Sequence, residues 1–399
     1  DLPGASFAGE HETFLNVKGE AKILLAIRAA FASLYNDRAI SYRVDKGFAH
    51  DAIALSVGVQ KMVRSDKSVS GVIFTLDTET GFRDVVTITS SWGLGEMVVQ
   101  GKVTPDEFLV FKPTLKQGFA PIIKKILGPK TIKMIYAGKR GRPVKEIPTK
   151  ETERHKFSIS DEDVLILAKW AVAIEEHYST KVGHPMPMDL EWAKDGKSGE
   201  LFIVQARPET VQSERKKYVR EEYILNNKSA VPVLAEGISV GSKIAAGRAR
   251  IILSAKKLSE FKKGEVLFTQ ITDPDWEPIM KIAAAIVTEK GGRTSHAAIV
   301  SRELGIPAIV GAAGVLSRVK NGEMVTVDAS SGATGKIYAG EIPFDKKIYN
   351  LEQIPKTKTK IAINIGTPDG AFMYASLPHQ GVGLAREEFI IASHIKVHP

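Results

Sequence analysis

The run Ala284-Ala285-Ile286-Val287-Thr288-Glu289-Lys290-Gly291-Gly292-Arg293-Thr294-Ser295-His296-Ala297-Ala298-Ile299-Val300-Ser301-Arg302-Glu303-Leu304-Gly305-Ile306-Pro307-Ala308-Ile309-Val310-Gly311 decides how this chain is read. It parses as a buried strand, a glycine turn, a short helix and a second strand. Gly305 stands where a left-handed residue ends a helix, and Pro307 forbids continuation. Thr294 or Ser295 can cap the helix. His296 then falls in the first helical turn, where unpaired backbone N–H groups and the positive end of the dipole gather. Gly291 and Gly292 carry no side chains to obstruct an anion, and Arg293 adds positive charge. Imidazole is a good nucleophile near neutral pH. A lone histidine on a helix is usually a hydrogen-bonded core residue. The glycines, hydroxyls and arginine in this order favour a phosphohistidine carrier instead.

Around this run lie 399 residues, enough for two or three domains at about 150 residues each. Apolar content of 43% and charged content of 25% suit folded domains rather than disorder. The absence of cysteine excludes disulfides, thiolate metal sites and cysteine nucleophiles, and fits a reducing compartment, so a cytoplasmic setting is expected. The most apolar stretch, Val164 to Ile174, is broken by Lys169 and is too short to span a bilayer. The chain opens on Asp1 with no secretory pattern, which reads as a start within a longer protein. The net charge of +9 is local: Lys112 to Lys156 holds 13 Lys/Arg against 3 Glu. That stretch reads first as a solvated hairpin face and second as an electrostatic funnel for a polyphosphate. Nucleic-acid binding is third, because few aromatics interleave the charges.

Residues 22 to 36 read as an amphipathic helix and Val57 to Val63 as a strand. Ser70 to Thr75 and Asp84 to Thr89 read as strands joined by a turn at Asp77–Gly81. Asp161 to Tyr178 reads as a helix capped by Ser160. Gln212 to Asn227 and residues 341 to 360 read as linkers around a Gly-rich α/β segment, with a fresh strand at Ile361–Ile365. Asp189-Leu190-Glu191-Trp192 and Leu201 to Pro208 make a hairpin pattern about the turn Lys194–Gly199. Period two puts Asp189 and Glu191 on one face and Leu190 and Trp192 on the other, while Gln205 and Arg207 share a face. Two carboxylates, an amide oxygen and a guanidinium suit a Mg²⁺–phosphate site. The same pattern also describes a merely charged hairpin face.

The histidine run resembles the swivelling domain of the phosphoenolpyruvate-utilising enzymes. Asp1-Leu2-Pro3-Gly4-Ala5-Ser6-Phe7-Ala8-Gly9, Ser90-Ser91-Trp92-Gly93-Leu94-Gly95-Glu96-Met97-Val98-Val99-Gln100-Gly101 and Gly381-Val382-Gly383-Leu384-Ala385-Arg386-Glu387-Glu388-Phe389 extend the resemblance over the whole chain. It implies a multidomain α/β and α+β fold. Residues 1–211 are the C-terminal part of an ATP-grasp domain, 212–230 a linker, 231–342 the swivelling β/α phosphohistidine domain, and 343–399 a linker with the first elements of a (β/α)₈ barrel. The implied reaction turns ATP, pyruvate and water into phosphoenolpyruvate, AMP and phosphate in the gluconeogenic direction. Its cofactor is Mg²⁺ and its carrier is His296, with Arg293 beside it.

By the same resemblance, Gln60, Lys61, Met62 and Val63 form a hinge strand that receives adenine. Thr75 to Gly81 form a lid over the phosphates. Glu191 and Gln205 hold Mg²⁺, Asp189 and Arg207 face the triphosphate, and Arg386 binds phosphoenolpyruvate. Thr294 matches the site of a regulatory kinase/phosphorylase. ATP, pyruvate and phosphoenolpyruvate are the implied partners, with no membrane and no nucleic acid, and self-association is left open. The family's first lysine and arginine on the phosphates, and its later barrel carboxylates and cysteine, have no counterparts here, so weak turnover is expected of this chain alone. Alternatives are a dikinase that uses phosphate in place of water, another phosphotransferase of the family such as an antibiotic-modifying one, and an inert binding module with a basic hairpin.

Overall fold

The computed structural model describes residues 11–51, 53–137, 143–209, 219–226, 231–293, 295–350, 357–366, 368–375, 377–391 and 395. The chain opens with α1 (Glu20–Ala32) and α2 (Asp37–Lys46), separated by a 3-10 turn at Ser33–Tyr35. The helix expected over residues 22–36 is α1 followed by the 3-10 turn, and α2, which was not expected, starts after Asn36, extended at φ −66° and ψ 149°. Next come β1 (Val69–Phe74), β2 (Val85–Trp92), α3 (Glu96–Val99), β3 (Asp106–Phe111), α4 (Lys112–Lys116), β4 (Ile122–Ile126), β5 (Ile132–Tyr136), β6 (Val144–Pro148), α5 (Glu151–Arg154), α6 (Asp161–Val182), β7 (Met188–Lys194) and β8 (Leu201–Pro208). Six of these strands form a sheet in the order β4-β3-β2-β1-β7-β8, and β5 and β6 pair separately.

α6 starts where its sequence says it should: Ser160 Oγ accepts from Asp163 N at 3.2 Å, and Gly183 ends it at φ 77°. Val164, Leu167, Ala168, Ala171 and Val172 pack on one face of the sheet, against Ile73, Ile88, Phe108, Leu190 and Trp192. The opposite face carries Val72 and Phe74, packed with Leu94, Met97, Val98, Val103 and Met134. Residues 57–63 were expected as a strand, yet they form no ladder, so the proposed adenine strand is an irregular segment.

The second unit begins with β9 (Val219–Leu225), β10 (Val233–Val240), β11 (Ile244–Ile251), β12 (Val266–Thr269), α7 (Glu277–Met280), β13 (Ala285–Thr288), α8 (His296–Leu304), β14 (Ala308–Val310), β15 (Met324–Asp328), β16 (Thr334–Ala339) and β17 (Phe344–Asn350). Seven strands close a barrel in the order β10-β14-β13-β12-β11-β15-β16. β11, β12 and β13 each run parallel to the next strand, and such connections need crossovers, which α7 and α8 help to supply. Ala285 and Val287 fill the barrel, while Ile286 faces outward against Ala297, Ala298 and Val300 of α8. Burial on both faces explains the unbroken apolar run of β13.

Both expected linkers contain strands. β9 and β17 pair antiparallel from Val219↔Asn350 to Leu225↔Phe344 and tie the two ends of the barrel unit together. Charged side chains masked this ribbon in the sequence: Arg220, Glu221 and Glu222 on one strand and Asp345, Lys346 and Lys347 on the other interrupt the apolar pattern. Beyond it lie β18 (Ile363–Ile365), α9 (Pro368–Tyr374), β19 (Val382–Ala385) and α10 (Glu387–Ile390), with β18 parallel to β19.

Several lysines of the basic stretch pair locally with acids, while Lys139, Arg140 and Arg142 lie outside the described residues. Lys112 meets Glu175 at 2.6 Å, Lys116 meets Glu176 at 2.5 Å, Lys125 meets Asp161 at 2.7 Å and Lys133 meets Glu153 at 2.7 Å. Lys130 and Asp106 form a pair with both side chains wholly buried. Asp106 also accepts from Gly128 N, Ser158 N and Ser158 Oγ at 2.7–2.9 Å, and Lys130 donates to Gly128 O at 2.7 Å. Such a pair is tolerable because further hydrogen bonds to both partners offset the cost of burying their charges. Asp106→Ala therefore strands a buried ammonium, and the expected loss is about 3–5 kcal/mol of unfolding free energy, read from urea denaturation.

Candidate functional site

His296 is the first residue of α8. Ser295 caps the helix, its Oγ accepting from Ala298 N at 3.4 Å, and Gly305 closes it at φ 65°. Gly291 has φ 107°, and a Cβ there would lie 3.0 Å from the Ser295 side chain, so the turn requires glycine. The His296 ring is half-buried, and its Nδ1 lies 2.9 Å from the Oγ1 of Thr272, a buried residue in the loop after β12. Burial pushes the imidazole down to about 4, so the ring is neutral at physiological pH. When Nδ1–H donates to Thr272, the lone pair is on Nε2, to which no hydrogen bond is made among the described residues. Thr272 was not singled out in the sequence. A hydroxyl 24 residues upstream carries no local signal, and only the barrel brings it to the ring.

The carboxylates are on β7. Asp189 pairs with Phe74 and Glu191 with Val72 across the β1–β7 ladder, so both share the sheet face covered by Leu94, Met97 and Val103. β8 places Arg207 opposite Asp189 and Gln205 opposite Glu191. Arg207 Nε and Nη2 donate to Asp189 Oδ2 at 2.9 and 2.6 Å. Thus Asp189 and Arg207, expected to face a triphosphate, hold one another. Burial raises the Asp189 carboxyl and Arg207 draws it back. Glu191 is pushed up to about 7 by burial and then by the Asp189 carboxylate, with Glu96 adding to the effect. Burial also raises Glu96, which accepts from Gln100 Nε2 at 2.5 Å. Gln60 reaches the same strand, Nε2 donating to Val204 O at 3.4 Å, while Lys61 is exposed and Met62 and Val63 are half-buried.

The histidine loop rests on the sheet unit. Thr104 Oγ1 donates to Gly291 O at 3.3 Å. A Cβ on Gly101, whose φ is 64°, would lie 2.3 Å from Ser295 Cβ and 3.0 Å from His296 N. The segment Gly93–Gly101 that packs over the carboxylate face therefore also touches the base of the histidine helix. Arg293 is half-buried, and it draws down the carboxyl of Glu107, which burial raises. Thr294 lies outside the described residues. Arg386 is exposed after β19, its N–H donating to Ile365 O at 2.7 Å, far in sequence and sheet from the other site residues.

Residues 1–227 match the family described as pyruvate phosphate dikinase, AMP/ATP-binding domain. The chain belongs to this family. Residues 261–332, which span α8, match the mobile domain of PEP-utilising enzymes. Relatives named phosphoenolpyruvate synthase include those of Aquifex aeolicus, 57% identical over 402 residues, Synechocystis sp., 55% over 399, and Escherichia coli K12, 52% over 401. Each alignment covers all of this chain but only 47%, 48% and 49% of the relative. The chain thus spans about half the length of the curated relatives it matches.

Two pH dependences follow. The folded-state pKa of His296 lies below its unfolded value near 6.5, so the unfolded chain takes up the proton first. Stability falls as pH drops from 6.5 toward 4, and His296→Gln flattens that limb in thermal unfolding. Glu191 behaves oppositely. Its folded pKa lies above 4.5, so stability falls as pH rises from 4.5 through 7. Glu191→Gln is expected to raise the metal-free unfolding temperature at pH 8 and to leave it unchanged at pH 4.

Proposed function

We propose that the chain carries the nucleotide-side and carrier portions of a phosphoenolpyruvate synthase, a pyruvate, water dikinase. In this reading residues 1–211 are the C-terminal part of an ATP-grasp domain and 231–342 a swivelling phosphohistidine domain. Residues 212–230 are a linker, and 343–399 lead into a phosphoenolpyruvate/pyruvate-binding barrel. The observation that carries the reading is the Thr272-held imidazole at the head of α8, its Nε2 unbonded among the described residues. The names of the relatives agree with it.

His296 Nε2 attacks the β-phosphorus of ATP, forming an N–P bond as the P–O bond to the leaving AMP breaks, and water then cleaves the terminal P–O bond, releasing phosphate and leaving one phosphoryl group on the ring. Nδ1–H stays on the ring and donates to Thr272, which holds the imidazole in plane. The enolate oxygen of pyruvate then accepts the phosphoryl group, the N–P bond breaks, and neutral imidazole returns. The sum is ATP, pyruvate and water to phosphoenolpyruvate, AMP and phosphate. Arg293, one step from the helix mouth, offsets charge on the moving group, because positioning and electrostatics dominate phosphoryl transfer.

Among the described residues no cluster of three or more His, Asp or Glu stands ready to hold a metal. Mg²⁺ needs less, since one or two protein oxygens and the substrate phosphates complete its shell. Glu191 and Gln205 face each other on β7 and β8, and the raised Glu191 carboxyl, crowded by Asp189 and Glu96, is a group that a cation would relax. Bound there, Mg²⁺ would supply charge neutralisation to the phosphates. Asp189 and Arg207 would exchange their mutual pair for contacts with the nucleotide, Arg386 would bind phosphoenolpyruvate, and Thr294 would be the regulatory position.

The family description names phosphate as a second acceptor, which keeps pyruvate, phosphate dikinase as the other reading. Free phosphate beside AMP supports the first reading, and pyrophosphate the second. A basic binding module is disfavoured by the acid-paired lysines of the 112–156 stretch. The deciding experiment is intact mass of the full-length polypeptide carrying these residues after incubation with phosphoenolpyruvate, or with ATP and Mg²⁺. One acid-labile phosphoryl group on wild type and none on His296→Ala is expected. An adduct that survives the substitution would place the carrier elsewhere. Thr272→Val should slow phosphorylation about 10–100-fold, with Thr272→Ser restoring most of it, as measured by single-turnover labelling.

A further inference from the structure

Arg302 and Glu79 belong to different units of the fold and form an ion pair. Arg302 lies near the C-terminal end of α8, six residues beyond His296. Glu79 lies in the β1–β2 turn of the six-stranded sheet. Their side chains are only 5% and 16% exposed, unlike the surface pairs elsewhere on the molecule. The turn is built to present Glu79. Asp77 Oδ2 accepts from Thr80 N at 2.8 Å and from Thr80 Oγ1 at 2.6 Å, and Asp77 N donates to Phe82 O at 2.9 Å.

A guanidinium this buried is costly unless paired, and the Arg302 Nε is buried with no hydrogen-bond partner. Arg302 is therefore satisfied through Glu79 only while the two units are together. The pair contributes nothing to either unit alone. It rewards one docked pose, the pose in which Gly291 and Ser295 meet Thr104 and Gly101.

We propose that Arg302 and Glu79 are positioning residues that register the histidine helix against the nucleotide-side unit. Through this pair, seating of the β1–β2 turn and docking of His296 become a single event. The proposal rests on the carrier role argued above and adds to it a specific assignment: the pair serves phosphorylation from ATP and not phosphorylation from phosphoenolpyruvate. Buried charge pairs across an interface act in this way, giving register and rejecting other poses more than adding affinity.

The test uses Glu79→Arg, Arg302→Glu and the double exchange in the full-length polypeptide. Phosphorylation of His296 is followed separately with ATP plus Mg²⁺ and with phosphoenolpyruvate. Each single exchange is expected to slow the ATP-driven reaction by at least about tenfold, and the double exchange to recover most of that loss. The phosphoenolpyruvate-driven rate should stay within about twofold throughout, a split that a general folding defect would not produce. Equal losses with both donors, unchanged single variants, or a double variant no better than the worse single would each overturn the proposal. If Arg302→Glu does not fold, Glu79→Gln at the turn carries the test with the same donor split. Wild type that is labelled by neither donor would instead defeat the carrier reading itself.

Discussion

The tight turn between β13 and α8 is the constraint on which the rest depends. A strand buried on both faces must hand the chain to a helix that packs back on the same barrel. Only a few residues are available, so Gly291 adopts φ 107° and Ser295 takes the N-cap at once. His296 is thereby placed at the head of the helix, with its ring lodged against Thr272. The same tightness extends across to the sheet unit, where Gly101 leaves room for Ser295 that any larger residue would occupy. A nucleophile held this way loses little orientation freedom before reaction.

Charge is distributed in keeping with that geometry. Part of the positive charge near the β3–α5 stretch is taken up in ion pairs with α6, α5 and Asp106. The unbalanced charge is negative and buried, at Asp189, Glu191 and Glu96 on one sheet face. Arg207 offsets it through Asp189, and Lys102 draws down Glu96. A cluster of buried carboxyls with raised pKa values is a common mark of a functional site, because stability alone would select against it. Where the two units meet, arginines of the histidine loop and helix stand near acids of the sheet unit, at Arg293 with Glu107 and Arg302 with Glu79.

Local signals in the chain were legible where one short-range rule dominated. Ser160 and Gly183 bracket α6, Gly305 ends α8, and Asp195 closes the β7–β8 turn by accepting from Lys197 N at 2.7 Å. Signals failed where tertiary partners outweigh propensity. Residues 57–63 are apolar enough for a strand but find no ladder. β9 and β17 look like solvated linkers, yet they pair with each other more than a hundred residues apart. The helix read over residues 22–36 ends as an α-helix at Ala32 and tightens into a 3-10 turn at Ser33–Tyr35, a change in backbone geometry that side-chain periodicity does not record.

The sequence by itself determined the local geometry of the histidine run, the alternation that puts Asp189 with Glu191 and Gln205 with Arg207 on shared faces, and the helix caps. These depend on residues within a few positions of each other, or on alternation along a single strand. Only the tertiary structure decided that seven strands close into a barrel, that Thr272 holds the imidazole, and that Glu79 reaches Arg302. Each of these joins groups brought together by closure of a sheet or by the meeting of two units. Such contacts leave no periodic trace in the chain, because their free energy comes from burial and pairing between distant segments rather than from neighbours.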